Sequence, residues 1–167
     1  LLLASCSTGT AGLNTFQSPD GRYAFLYPTG WIRVSVVGGP QVVFHDLINT
    51  EETLSLVSSK IDADVDLESL GSPRAAGEKL MGTAKEVEGA AGRDVELIKA
   101  EAREESQHTF YDLEYLEHHE GGDRHELATV VVDRGYLYTL ATGTNEIRWP
   151  KVRTLFKRVV KSFTFLI

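Results

Sequence analysis

The run RYAFLYP, Arg22 to Pro28, sets Tyr23, Phe25 and Tyr27 on alternate positions, the period of a half-buried strand, just after an Asp20-Gly21 turn signal. Pro28-Thr29-Gly30 closes that run. Ile32–Val37, the Gly38-Gly39-Pro40 break, Gln41–Leu47, a polar turn at Asn49–Glu52 and Thr53–Lys60 follow, so the first third predicts short strands joined by turn chemistry in an antiparallel sheet. Four more strands are expected at Val95–Glu104, Thr109–His118, Glu126–Asp133 and Tyr136–Thr142, with a closing strand in Ser162–Ile167.

Two stretches carry the helical period instead. After an acidic, irregular link from Ile61 to Ser72, Ser72 can cap and Pro73 suits a first helical position. Ala76, Leu80, Met81, Ala84 and Val87 then recur along one side, with Gly77 and Gly82 weakening the helix. A last helix starts near Arg148, where Trp149, Val152, Leu155, Phe156, Val159 and Val160 make an apolar stripe. Strand runs broken by two helices, without regular βαβ alternation, indicate an α+β fold with a mostly antiparallel sheet. No internal repeat is present.

At 167 residues the chain suits one domain with a sizeable core, and 42% apolar with 25% charged residues exclude wholesale disorder. The net charge of −7 argues against a nucleic-acid partner. Yet from Asn145 to Ile167 six basic residues face a single acid, Glu146. Lys151, Arg153, Lys157 and Arg158 lie off the apolar stripe; they read either as a solvated helix face or as an electrostatic docking face for a partner.

The segment EHHEGGDRHEL, Glu117 to Leu127, holds three of the five histidines. Gly122-Asp123 as a two-residue hairpin loop would set Glu120 opposite His125, His119 opposite Glu126 and Tyr115 opposite Val130. Tyr111, Leu113 and Tyr115 would then join Ala128, Val130 and Val132 on a core face, while His118, Glu120 and His125 share the other. The residues leave three readings open: a solvated hairpin end, a divalent metal site for zinc, or the first shell of a metallohydrolase. No HExxH, GxSxG, GxxxxGK[ST] or GxGxxG pattern accompanies the cluster, His45-Asp46 are adjacent strand residues on opposite faces, and His108 is expected to be exposed, so no enzyme is expected.

Cys6 is the sole cysteine, which excludes an intrachain disulfide. Residues 1–6, LLLASC, are similar to the end of a secretory signal with a bacterial lipobox, Leu3-Ala4-Ser5-Cys6, after which the cysteine carries lipid. Residues 7–17 read as a flexible linker spanning about 18 Å, and 18–167 as the folded domain. No later apolar run approaches the roughly 20 residues needed to cross a bilayer, so lipid is the expected attachment.

A series of landmarks adds to this. Tyr27-Pro28-x-Gly30-Trp31, Phe44-x-Asp46 after a Gly-Pro break, Gly71-Ser72-Pro73, His125-x-Leu127, Gly135-x-Leu137-Tyr138, Arg148-Trp149 and Val160-x-Ser162-Phe163 together resemble the PsbP family, extrinsic subunits on the lumenal side of photosystem II. With the lipobox in front, the resemblance is to its cyanobacterial lipoprotein members. It implies an α/β/α sandwich around a central, mostly antiparallel sheet and a non-catalytic binding subunit in the thylakoid lumen, lipid-anchored and needing no cofactor. In plants that role supports calcium and chloride retention at the water-oxidising, oxygen-evolving cluster. In cyanobacteria it is linked to assembly intermediates near the D2 core subunit. The resemblance also implies a functional pair between His125 and Glu146, which competes with the hairpin pairing of His125 and Glu120. The alternative implied function is a PsbP-like accessory lipoprotein that binds zinc or calcium.

Overall fold

The computed structural model describes residues 11–87 and 94–166. Along the chain run β1 (Leu13–Gln17), β2 (Tyr23–Pro28), β3 (Trp31–Val34), β4 (Val42–Asp46), β5 (Thr53–Lys60), α1 (Pro73–Val87), β6 (Asp94–Glu105), β7 (His108–His118), β8 (Arg124–Asp133), β9 (Tyr136–Asn145), α2 (Trp149–Lys161) and β10 (Thr164–Phe165). A 3-10 turn at Glu68–Leu70 interrupts the acidic link before α1.

Seven strands in the order β3-β4-β5-β9-β8-β7-β6 form one antiparallel sheet, and β1-β2-β10 form a second. Tight turns organise the long meander. Ser106 and Gln107 join β6 to β7, and Arg134 and Gly135 join β8 to β9; both residues of each loop have positive φ, the backbone that matches strand twist in a two-residue hairpin. At the opposite end, β7 and β8 are joined by a longer loop, residues 119–123.

Alternation along the strands sends side chains to two separate clusters. On one face Leu54, Leu56, Leu127, Val131, Tyr138 and Leu140 pack against the apolar stripe of α2 and against Phe16, Tyr23 and Phe25 of the small sheet. On the other, Tyr111, Leu113, Ala128 and Val130 pack under α1. The result is the layered α+β sandwich expected, with helices on both faces of a central antiparallel sheet. Trp149, Val152, Phe156, Val159 and Val160 of α2 are all buried, each contributing about 1.5–3 kcal/mol by removal from water.

Local chemistry explains the ends of α1. The Ser72 hydroxyl accepts the Ala75 N–H at 3.2 Å, the capping bond foreseen for it. Gly77, a poor helix former, is there because the helix meets the sheet: a Cβ at this position would stand 3.0 Å from Leu97 and 3.2 Å from Leu113. Ala76, Leu80 and Met81 face the sheet as their spacing predicts, while the side chains of Ala84 and Val87 lie outside the described residues.

The linker expectation needs correcting. Leu13–Gln17, expected in the flexible segment 7–17, form β1 on β2, with Leu13 opposite Pro28 and Phe16 opposite Phe25. Backbone pairing and burial of Leu13 and Phe16, three residues apart, hold an edge strand that lacks the period-two signature. Cys6, assigned to lipidation, lies outside the described residues. Among the described residues, no helix is long and apolar enough to cross a membrane.

Candidate functional site

At the end of the sheet that carries the 119–123 loop, His125 is the second residue of β8, with its side chain on the α2 face. It is buried, only 4% exposed, a severe setting for a titratable ring. Two acids and one aromatic ring surround it. Nδ1 lies 2.6 Å from Glu146 Oε2, and Nε2 lies 2.7 Å from Glu114 Oε1. The Trp149 ring stacks on the imidazole with centroids 3.8 Å apart and planes at 11°. Carboxylates only accept, so both contacts are satisfied when the ring carries both N–H protons, and the cation then rests on the indole face. In that form the charge of the ring is paired on both sides.

Each partner comes from a different element. Glu114 is on β7, two residues along from Leu116, which pairs with His125 across the ladder. Glu146 follows β9 in the turn into α2, and Trp149 is the first residue of that helix. His125 therefore clamps two neighbouring segments onto β8. The loops outside the clamp are tied as well. Glu146 N–H donates to the Asp123 carbonyl at 2.8 Å. Arg124 donates through Nε to Glu126 at 2.8 Å, through Nη1 to the Glu51 carbonyl at 2.8 Å and through Nη2 to Thr53 Oγ1 at 2.6 Å. Its guanidinium lies over Gly143, where a Cβ would stand 2.3 Å from Nη2. Arg148 Nε donates at 2.5 Å to Glu52, whose side chain is almost wholly buried. Three loops, 47–52, 119–123 and 146–148, thus form one braced end.

A second feature is the outer face of α2. Lys151, Arg153, Lys157, Arg158 and Lys161 are exposed. Among the described residues, Lys151, Arg153, Lys157 and Lys161 make no ion pair, whereas Arg22, Arg74, Lys99, Arg103, Arg124 and Arg148 each meet a carboxylate. Arg153, Lys157, Arg158 and Lys161 border a shallow depression floored by Leu26 and Ser162.

The PsbP family model matches residues 11–165. The chain belongs to the PsbP family. It is 38% identical to CyanoP of Thermosynechococcus vestitus, over 98% of this chain and 91% of that one, and 40% identical to CyanoP of Synechocystis sp., over 97% and 88%. The solution structure of CyanoP from Synechocystis sp. PCC 6803 superposes with a TM-score of 0.80 and 40% identity, covering 98% of both chains. The PsbP match begins at residue 11, upstream of the domain start expected at 18 and consistent with β1 as part of the fold.

Within this PsbP domain the expected site residues separate. His125 and Glu146 meet, as the resemblance implied. His125 and Glu120 do not: the hairpin register differs from the one a Gly122-Asp123 loop would impose. Tyr115 pairs with Glu126 rather than Val130, and Leu116 with His125. Residues 119–123 leave the ladder, closed by Gly122 N–H to the His119 carbonyl at 3.1 Å. The slip of four positions is even, so every side chain keeps its face, and Tyr111, Leu113, Tyr115, Ala128, Val130 and Val132 share the α1 side as expected.

The candidate metal set His118, Glu120 and His125 is not gathered. His118 bonds Asp123 through Nδ1 at 3.1 Å, Glu120 is exposed, and His125 has both nitrogens engaged. Among the described residues no group of three or more His, Cys, Asp and Glu side chains is placed to hold a metal. The hydrogen bond to Asp123, assisted by the charges of Asp123, Asp94 and Glu96, holds His118 above the usual imidazole range. His119 bonds Glu117 at 3.0 Å. His108, expected to be exposed, is part-buried against Phe165 and bonded to Asp133 at 3.0 Å.

Sequence reasoning missed Glu114, the stacked Trp149 and both arginine braces. Glu114 had a weak signal: on β7 it shares the parity of the face that His125 occupies. Trp149 stood out only as half of the Arg148-Trp149 landmark and as a core residue of the α2 stripe, with nothing in the sequence to set it against His125.

Proposed function

We propose that the protein is a non-catalytic binding subunit, held by lipid on Cys6 at the lumenal side of a cyanobacterial thylakoid membrane, that docks on photosystem II core subunits near D2 or on their assembly intermediates. Membership of the PsbP family supplies the partner class, and the Leu3-Ala4-Ser5-Cys6 motif supplies the anchor. The observation that carries the docking role is the outer face of α2. Among the described residues, Lys151, Arg153, Lys157 and Lys161 make no ion pair on a protein of net charge −7, and the helix that carries them is fixed to the domain by a buried stripe. Arg158 completes that face. Uncompensated cations on a rigid element attract an acidic surface and set its orientation.

The clamp supports a structural role for His125. A ring with both nitrogens bonded to carboxylates and one face under Trp149 has no lone pair or proton to offer a substrate. It fixes the start of α2, and so the face that docks. The role needs no bound cofactor.

Cross-linking the native protein in its own membranes, followed by identification of its neighbours, tests the partner. Photosystem II core subunits are expected, and their absence overturns the proposal. Mass spectrometry of the same material reads the lipid on Cys6; an unmodified thiol removes the anchor and leaves the partner standing.

A further inference from the structure

The braced end carries three large aliphatic side chains aimed at solvent. Leu47 and Ile48, in the turn after β4, are 64% and 87% exposed, and Ile147, in the turn into α2, is 90% exposed. They are not on loose loops. Asp46 accepts the Ile48 and Asn49 N–H groups at 2.8 and 2.5 Å, Asn145 Oδ1 accepts the Arg148 N–H at 3.1 Å, and the Arg148–Glu52 pair joins the two turns. Holding exposed aliphatics in fixed positions gains nothing for the isolated domain.

The N-terminal segment enters the fold at this same end. Thr29 N–H bonds the Gly12 carbonyl at 3.0 Å, Leu13 pairs with Pro28, and Trp31, after the Thr29-Gly30 turn, pairs with Asp46, the residue before Leu47. The chain from Cys6 to Gly12 reaches at most about 21 Å even fully extended. Lipid on Cys6, as proposed above, would tether the domain to the bilayer from this end.

We infer that the turns carrying Leu47, Ile48 and Ile147 form a second, non-covalent membrane contact that dips into the lipid interface and orients the domain on its anchor. The inference rests on the lipid anchor proposed above. Glu51 is exposed beside the tips and the Glu146 side chain is 45% exposed, so the fitting surface is uncharged lipid; anionic headgroups would repel these carboxylates. With this end on the membrane, α2 begins near the lipid surface and extends its cations away along the side of the domain. A neighbouring membrane protein would meet them there.

The test uses the full, lipid-bearing chain bound to phosphatidylcholine vesicles. Because Cys6 is the sole cysteine and its thiol is consumed by the lipid, single cysteines introduced as Ile48→Cys, Ile147→Cys and Val37→Cys take a fluorophore at one site each. With quenchers on the lipid chains, labels at 48 and 147 are expected to be quenched at least fivefold more than the label at 37. A label on Leu47→Cys should lose its quenching when Ile48→Asp and Ile147→Asp are added, although the protein still floats with the vesicles. Equal quenching at 37, 48 and 147, or none at 48 and 147 on a protein that floats, overturns the inference and leaves the anchor intact. Labels at 48 and 147 that are shielded only when photosystem-containing membranes replace the vesicles would assign this face to a protein partner, which also overturns it. An unmodified Cys6 with no flotation overturns the anchor, and this orientation with it.

Discussion

The His125 end and the outer face of α2 are both rich in charge, and they treat it in opposite ways. At the His125 end each basic side chain named has its acid: His125 lies between Glu114 and Glu146, Arg124 meets Glu126, and Arg148 meets Glu52. Along α2, among the described residues, Lys151, Arg153, Lys157 and Lys161 make no ion pair, although Lys157 and Lys161 border a cavity that Glu101, Asp112 and Glu114 also line. The first arrangement uses electrostatics inward, to lock three loops and the start of a helix. The second leaves it pointing outward, where it can act on another molecule. Changes in the first region should lower stability, and changes in the second should lower binding.

The largest effect is expected on the outer face. Reversing Lys151, Arg153, Lys157 and Lys161 to glutamate should weaken capture of the photosystem partner by about 2–4 kcal/mol, roughly 30- to 1000-fold, at about 0.5–1 kcal/mol per exposed charge. The same variant should keep a melting temperature within a few degrees of wild type. Binding to isolated membranes at low and at 0.5 M salt reads the first, and a thermal melt the second. Unchanged capture would show that the face is merely solvated.

Next comes the clamp. His125→Ala removes both hydrogen bonds to the flanking acids and the ring under Trp149, and should cost about 3 kcal/mol, the lower part of the range for breaking a buried pair because Glu146 is partly exposed. Urea denaturation measures it. A loss under 0.5 kcal/mol would mean that the clamp does not hold the fold. Smaller again is Gly143→Ala. Its new methyl group displaces the Arg124 guanidinium from Glu51 and Thr53, at about 1–2 kcal/mol from overpacking.

The smallest effect depends on pH. The folded state raises the His118 pKa through Asp123, so this pair's contribution is complete below the ordinary imidazole value and fades as pH rises through the raised one. The stability difference between wild type and His118→Gln should therefore shrink from pH 5.5 to pH 8, as thermal melts at each pH would record. A difference that grows with pH would reverse the assignment.

The order of strands and helices was legible because residues such as Tyr23, Phe25 and Tyr27, or Val152, Phe156 and Val159, repeat at the period of the element they form. β1 was not legible: Leu13 and Phe16 break that period, and their strand exists only because β2 offers a free edge. The hairpin register was half legible. Faces were readable, because alternation survives an even slip, but partners were not, because loop length is set by where polar residues 119–123 leave the ladder.

For the site, the resemblance singled out His125 and Glu146, and the fold sets them 2.6 Å apart. Glu114, Trp149 and the arginine braces join residues up to 96 positions apart, for which no local spacing exists. Composition, periodicity and the landmark residues thus determined the family, the layers and the cationic stripe of α2, since these are properties of short stretches. Only the packed tertiary structure decided which charges are neutralised and which remain to act outward, because pairing depends on the distance between side chains that the linear chain keeps far apart.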